Sequence, residues 1–144
     1  MDIATIDKEA AELVFPAFDE DTAWALGSML VTMARERGHP VVIDIRTPNR
    51  TLFHVALPGA TPGNDLWARR KSNVALQFGR ASMAVTLRER DKGRTVEAHG
   101  LTSSDYAFSG GAVPERRSRS HCHLPEASRA SVRESQSSPR KARR

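Results

Sequence analysis

PVVIDIRTPNRTLFHVALPG, residues 40–59, decides the fold. Side chains alternate between faces along a strand, so Val41, Ile43 and Ile45 share one side of a first strand while Val42, Asp44 and Arg46 take the other. In a second strand Thr51, Phe53, Val55 and Leu57 lie together, with Leu52, His54 and Ala56 opposite. TPNR separates the two and carries proline and asparagine, residues suited to turns. Antiparallel pairing that joins the two apolar sets creates one buried face, and a one-residue slip would turn every apolar side chain to water. An odd-length turn supplies that register. It also gathers Asp44, Arg46 and His54 on the opposite face, with Asp44 and His54 roughly across from each other.

Upstream, ELVFPAF (residues 12–18) reads as a short apolar strand or a helix-to-strand junction. DEDTAWALGSMLVTMARERGHP then carries helix punctuation at both ends. Asp19 or Asp21 caps the start, Arg35 and Arg37 occupy the last turn, and Gly38 and Pro40 end it. Leu26, Met29, Leu30 and Met33 recur at helical spacing, which predicts a core-facing stripe.

Downstream lies LPGATPGNDLWARRK, residues 57–71. Asn64 or Asp65 is the predicted cap of a helix running to about Phe78, with Trp67, Arg70, Lys71, Val74 and Phe78 on one side and Arg69 pointing elsewhere. Cations close to a helix start are disfavoured by about 0.3–1 kcal/mol each. A bound anion would offset that cost, so Arg70 and Lys71, with the free N–H groups of the helix start and the Gly-rich loop, form a candidate pocket for phosphate, carboxylate or heme propionate groups. The candidate ligand-binding residues are Asp44, Arg46, His54, Asn64, Trp67, Arg70 and Lys71. The competing structural reading pairs Arg70 with a carboxylate such as Asp44 or Asp65 and extends Lys71 past Trp67 into water. SMAVTLRERDKGRTVEAHG alternates like a strand through Leu87, turns at Asp91-Lys92-Gly93 and returns through Thr95 to Ala98. DYAFSGGAVP is expected as a loop entering a further strand. The fold class is therefore α/β (α+β), a small antiparallel sheet with helices packed on it.

Composition narrows the function classes. The chain of 144 residues has a formal net charge of +5. That basicity is confined to residues 115–144, which hold nine Lys/Arg and three Asp/Glu against thirteen and fourteen in residues 1–114. Residues 115–144 lack aromatics and contain Leu124 and Val132 as their only large aliphatics, so they are read as a disordered tail. Nucleic acid is not an expected partner of the body. No apolar run approaches the roughly 18 residues of a membrane span, and the acidic N-terminus is unlike a signal peptide. One cysteine, Cys122, excludes an internal disulfide framework, and a cytoplasmic protein is expected. No metal site is assigned: His54 reads as a satisfied sheet histidine, His39 and His99 as surface residues, and His121-Cys122-His123 has no second ligand pair at zinc spacing. The glycines fit neither dinucleotide nor P-loop patterns.

The strings LGSMLVTMARERGHPVVIDIR, LFHVALPGATPGNDLWARRKSNVALQFGRAS and DYAFSGGAVP resemble the heme-degrading domain family in its uncharacterised (UPF) branch. The resemblance runs from about Glu12 to Pro114, giving a domain over 1–114. It implies a small antiparallel sheet flanked by helices, heme as the candidate cofactor or ligand, and assembly into homo-oligomers. It assigns no catalytic residue. Gly63 and Arg80 depart from the branch pattern. Beyond Pro114 the family continues with a last strand and helix, which this chain lacks, and the switch to Arg/Ser/Pro-rich sequence is what a shifted reading frame would produce. Two functional readings follow: a heme-degrading-like protein that binds an anionic ligand such as heme at the loop–helix site, or a non-enzymatic oligomeric scaffold, the latter including a non-functional frame-shifted copy.

Overall fold

The computed structural model describes residues 2–117. Its elements are helix α1 (Ile3–Glu12), strand β1 (Val14–Phe15), helix α2 (Glu20–Glu36), strands β2 (Val42–Arg46) and β3 (Thr51–Ala56), helices α3 (Pro62–Phe78) and α4 (Ser82–Asp91), a 3-10 turn (Val96–His99) and strand β4 (Arg116–Arg117). The fold is α+β, with helices flanking a small antiparallel sheet.

Strands β2 and β3 pair in the predicted register: Ile43 opposes Val55, Asp44 opposes His54 and Ile45 opposes Phe53. Arg46 then opposes Thr51, so a bulge on β3 at Leu52 supplies the odd residue. The Leu57 N–H donates to the Val41 carbonyl at 3.0 Å. Hydrogen-bonded and non-hydrogen-bonded pairs alternate along such a ladder, which makes Asp44 and His54 a non-hydrogen-bonded pair, the kind whose side chains approach most closely.

Helix α2 packs on the apolar face of this hairpin. The Asp19 carboxylate caps it, accepting from the Thr22 N–H at 2.8 Å and from the Thr22 hydroxyl at 2.7 Å. Gly38, at φ 65°, ends it in the left-handed conformation that favours glycine. Ala23 and Gly27 are both buried, and Gly27 meets the hairpin directly, because a small residue is needed where the Phe53 ring reaches the helix backbone. The predicted core stripe is corrected here: Leu26 is half-buried, whereas Met29, Leu30 and Met33 face outward, with Met29 54% exposed. Helical period alone identifies an apolar stripe but not its partner, and the hairpin seats on the small-residue side.

Helix α3 packs over β2. Its predicted cap is also corrected. Thr61 is the N-cap, Pro62 opens the helix, and Asn64 sits at the third position, where its Oδ1 accepts from the Thr61 N–H at 2.8 Å. The helix thus starts earlier than Asn64, and Arg70 lies eight residues beyond Pro62, about 12 Å along the axis. The Arg69–Lys71 run is therefore mid-helical.

Residues 82–98, predicted as a second hairpin, form α4 and a 3-10 turn. Met, Ala, Leu, Arg and Glu dominate Ser82–Asp91, and these are strong helix formers; an apparent alternation this short fits either period. Asp91-Lys92-Gly93 does turn the chain, but as a helix terminus: Gly93 has φ 63°, and the Arg94 N–H donates to the Glu89 carbonyl at 2.9 Å. The other core cluster joins Ile6 and Ala10 of α1 to Ala81 and Ala84, with Ile3 and Leu87 beside them. Strand β4 pairs in parallel with β1, three residues past Pro114 at its far end. The rest of the expected tail, with His121-Cys122-His123, lies outside the described residues.

Candidate functional site

On the hairpin face away from α2, strand alternation points Asp44, Arg46 and His54 in one direction. The Asp44 side chain is only 3% exposed, and it receives the Arg46 guanidinium as a fork, Nε on Oδ1 and Nη2 on Oδ2 at 2.8 Å. His54 Nδ1 lies 2.8 Å from Asp44 Oδ2, and its Nε2 lies 2.7 Å from Asp65 Oδ1. Asp65 stands in the first turn of α3, so this imidazole ties the hairpin to the helix. A neutral imidazole has one N–H, whereas both carboxylates need a donor; the imidazolium satisfies both. The hydrogen bond to Asp44 raises the His54 pKa, against desolvation and with further help from Asp65. Burial alone would push the Asp44 carboxyl up, but the hydrogen bonds from Arg46 and His54 hold it below the ordinary carboxylate range.

The remaining candidates are held elsewhere. Asn64 spends its carbonyl oxygen on the Thr61 cap. Arg70 Cζ sits 4.6 Å from the Trp67 ring centroid and Lys71 Nζ 5.9 Å from it, a stack of two cations on one indole. Each helical residue advances about 100° around the axis. Trp67, Arg70 and Lys71 thus lie on roughly the opposite side of α3 from Asp65 and the hairpin cluster. The structure divides the seven predicted residues into a hairpin network, a cap and a cationic indole platform.

Beside the platform runs the segment Asp105–Pro114. Arg69 anchors it through Asp105 Oδ1 at 2.8 Å and the Ser104 carbonyl at 3.1 Å, and the Asn73 side chain donates to the Asp105 carbonyl at 2.8 Å. Lys71 Nζ reaches Gly111, 3.4 Å from where a Cβ would stand. Among the described residues Arg70 and Lys71 make no ion pair, and Arg70 Nε is buried without a hydrogen-bond partner. The carboxylates that the competing reading offered to Arg70 are both spent on His54.

Two features escaped sequence reasoning. Asp65 appeared there only as a cap or an Arg70 partner, because nothing in spacing alone set α3 against the imidazole. His99 is exposed, as expected of a surface residue, but its Nε2 lies 2.8 Å from the Oε2 of buried Glu89 and its ring is edge-on to Phe78 and Phe108. Its only sequence signal was the placement of an acid ten residues earlier, legible once Ser82–Asp91 is a helix. No cluster of three or more His, Cys, Asp or Glu side chains suited to a metal occurs among the described residues.

The fold is that of a small α+β domain that carries a cationic aromatic platform on α3. The chain belongs to the family described as "Haem degrading protein HbpS-like", whose model matches residues 18–121. It is 48% identical over 113 residues to a UPF0303 protein of Rhizobium rhizogenes, covering 78% of this chain and 70% of that one. It is 50% identical over 115 residues to a UPF0303 protein of Burkholderia thailandensis, covering 79% and 70%. The crystal structure of the Ybr137w protein superposes with a TM-score of 0.75 at 30% identity, over 84% of this chain and 72% of that one. The resemblance stated from sequence is borne out. No helix among the described residues is long and apolar enough to cross a membrane.

Proposed function

We propose that this HbpS-like chain binds a flat anionic ligand, such as heme, against Trp67, Arg70 and Lys71. One observation carries the reading: two cations stacked on an exposed indole have no carboxylate partner among the described residues, and the buried Arg70 Nε lacks an acceptor. A buried donor left unsatisfied costs about 1–3 kcal/mol, which a guest carboxylate would offset. The indole supplies a stacking face, and the two cations match paired acid groups. The donor chemistry fits the acid edge of heme but not axial ligation by His54, since both ring nitrogens already face carboxylates. Asp44, Arg46 and His54 therefore serve as the brace that fixes α3 on the hairpin. The proposed compartment is the cytoplasm.

Hemin titration of the full chain tests this. A stoichiometric Soret shift is expected, weakened at least tenfold by Arg70→Ala or Lys71→Ala, with the band position unchanged in His54→Gln. A featureless titration, or full binding by both cation variants, refutes it.

A second reading, a homo-oligomeric scaffold without enzymatic activity, is favoured by the outward Met29, Leu30 and Met33 of α2. Apolar surface gathered on one helix face is the kind that a second copy covers. Light scattering decides it: a defined oligomer that dissociates in Met33→Glu supports assembly through this face, and a monomeric parent chain excludes it.

A further inference from the structure

A groove of about 510 Å³ runs between α2 and β3, lined by Trp24, Ser28, Val31 and Thr32 on the helix and by Leu52–Val55 on the strand. It is separate from the indole platform on α3 and, by helical geometry, from the Met29/Leu30/Met33 face of α2. Among the described residues β3 pairs with β2 alone. In the observed register Phe53 and Val55 direct their backbone groups toward β2, which turns those of His54 and Ala56 to the outer edge. No backbone hydrogen bond from His54 or Ala56 to any element other than β2 occurs among the described residues.

We propose that this groove docks an uncharged, extended apolar peptide segment of a partner protein, which adds to the hairpin as a third strand. Three observations select that occupant. Unpaired strand donors and acceptors are a template for another strand and for little else. Trp24, 68% exposed, stands at the wall with its ring edge-on to Phe53 at 5.8 Å, offering apolar surface to alternate side chains of the incoming segment. Among the described residues the only ionisable one in the lining is His54, whose imidazole is turned to Asp44 and Asp65, so the described lining does not reward a charged guest. Ser28 and Thr32 keep the helix wall low, and the Thr32 hydroxyl is spent on the Ser28 carbonyl at 3.1 Å. The segment's inward side chains would then rest between Trp24 and Val31.

The test uses the full chain carrying Trp67→Phe, so that Trp24 is the sole fluorophore of its kind. The probe is an acetylated, amidated octapeptide alternating valine and threonine, with two further versions N-methylated at either all valines or all threonines. Backbone N–H groups of alternate residues point to opposite edges of a strand, so one methylated version is expected to lose at least tenfold in affinity while the other still blue-shifts Trp24. Replacing the valines with lysines, or Ser28→Arg in a protein with unchanged circular dichroism, should abolish the shift. Loss with both methylated peptides, retention with both, or preference for the lysine version overturns the proposal. So does a Trp24 shift that tracks protein concentration without peptide, which would assign the groove to a second copy.

Discussion

Gly27→Ala puts a methyl group into the closest contact between helix and sheet. A Cβ built at Gly27 would lie 2.5 Å from Phe53 Cδ1 and Cγ and 2.6 Å from Cε1. Non-bonded carbons sit at about 3.5–4.0 Å, so the ring or the helix must retreat by about 1 Å. The ring has little freedom to do so, because Phe53 is buried in the hairpin core and packs edge-on against Trp24. Overpacking of this kind costs about 1–3 kcal/mol, and the helix propensity gained from glycine to alanine returns about 1. Overlap with three ring atoms at once puts the overpacking in the upper half of that range, so the expected net is a loss of about 1–2 kcal/mol, which lowers the urea midpoint on the order of 0.5–1 M. Urea titration of the full chain followed by far-ultraviolet circular dichroism measures it. Phe53→Leu provides the second arm: the branched aliphatic leaves room for the methyl, and Gly27→Ala in that background should be neutral or stabilising. A stabilising Gly27→Ala in the presence of Phe53 would refute the argument that Gly27 sets the seat of α2 on the hairpin.

The folded-state pKa of His54 is raised, so its contribution to stability is full below its unfolded value of about 6.5 and is lost as pH rises through the folded value. Urea midpoints of the parent chain and His54→Gln should therefore converge with rising pH, and a constant difference between pH 5.5 and 9 would count against the two-carboxylate tie. Asp44→Ala leaves Arg46 and His54 without their shared partner and should cost on the order of 3 kcal/mol, read as a lowered urea midpoint. Gly110→Ala meets chiefly the flexible end of Met83, so the cost should stay below about 1 kcal/mol, well under that of Gly27→Ala.

What the sequence determined by itself was the hairpin, its register and the juxtaposition of Asp44 with His54, because a period of two ties face to position and a burial requirement ties register to face. The same reasoning bounded α2, where an acidic cap and a terminal glycine act locally. Tertiary structure alone decided the rest. Whether Ser82–Asp91 coils or extends depended on α1 and α3 offering it a surface, since ten residues of ambiguous period hold both options. Which side of α2 turns inward was set by the width of the Phe53 ring against Gly27, a contact between residues far apart in the chain. The site divided for a similar reason. Asp65 and Trp67 stand two residues apart in sequence, yet one helix separates the imidazole brace from the cationic platform, because a helix sends near neighbours to opposite sides.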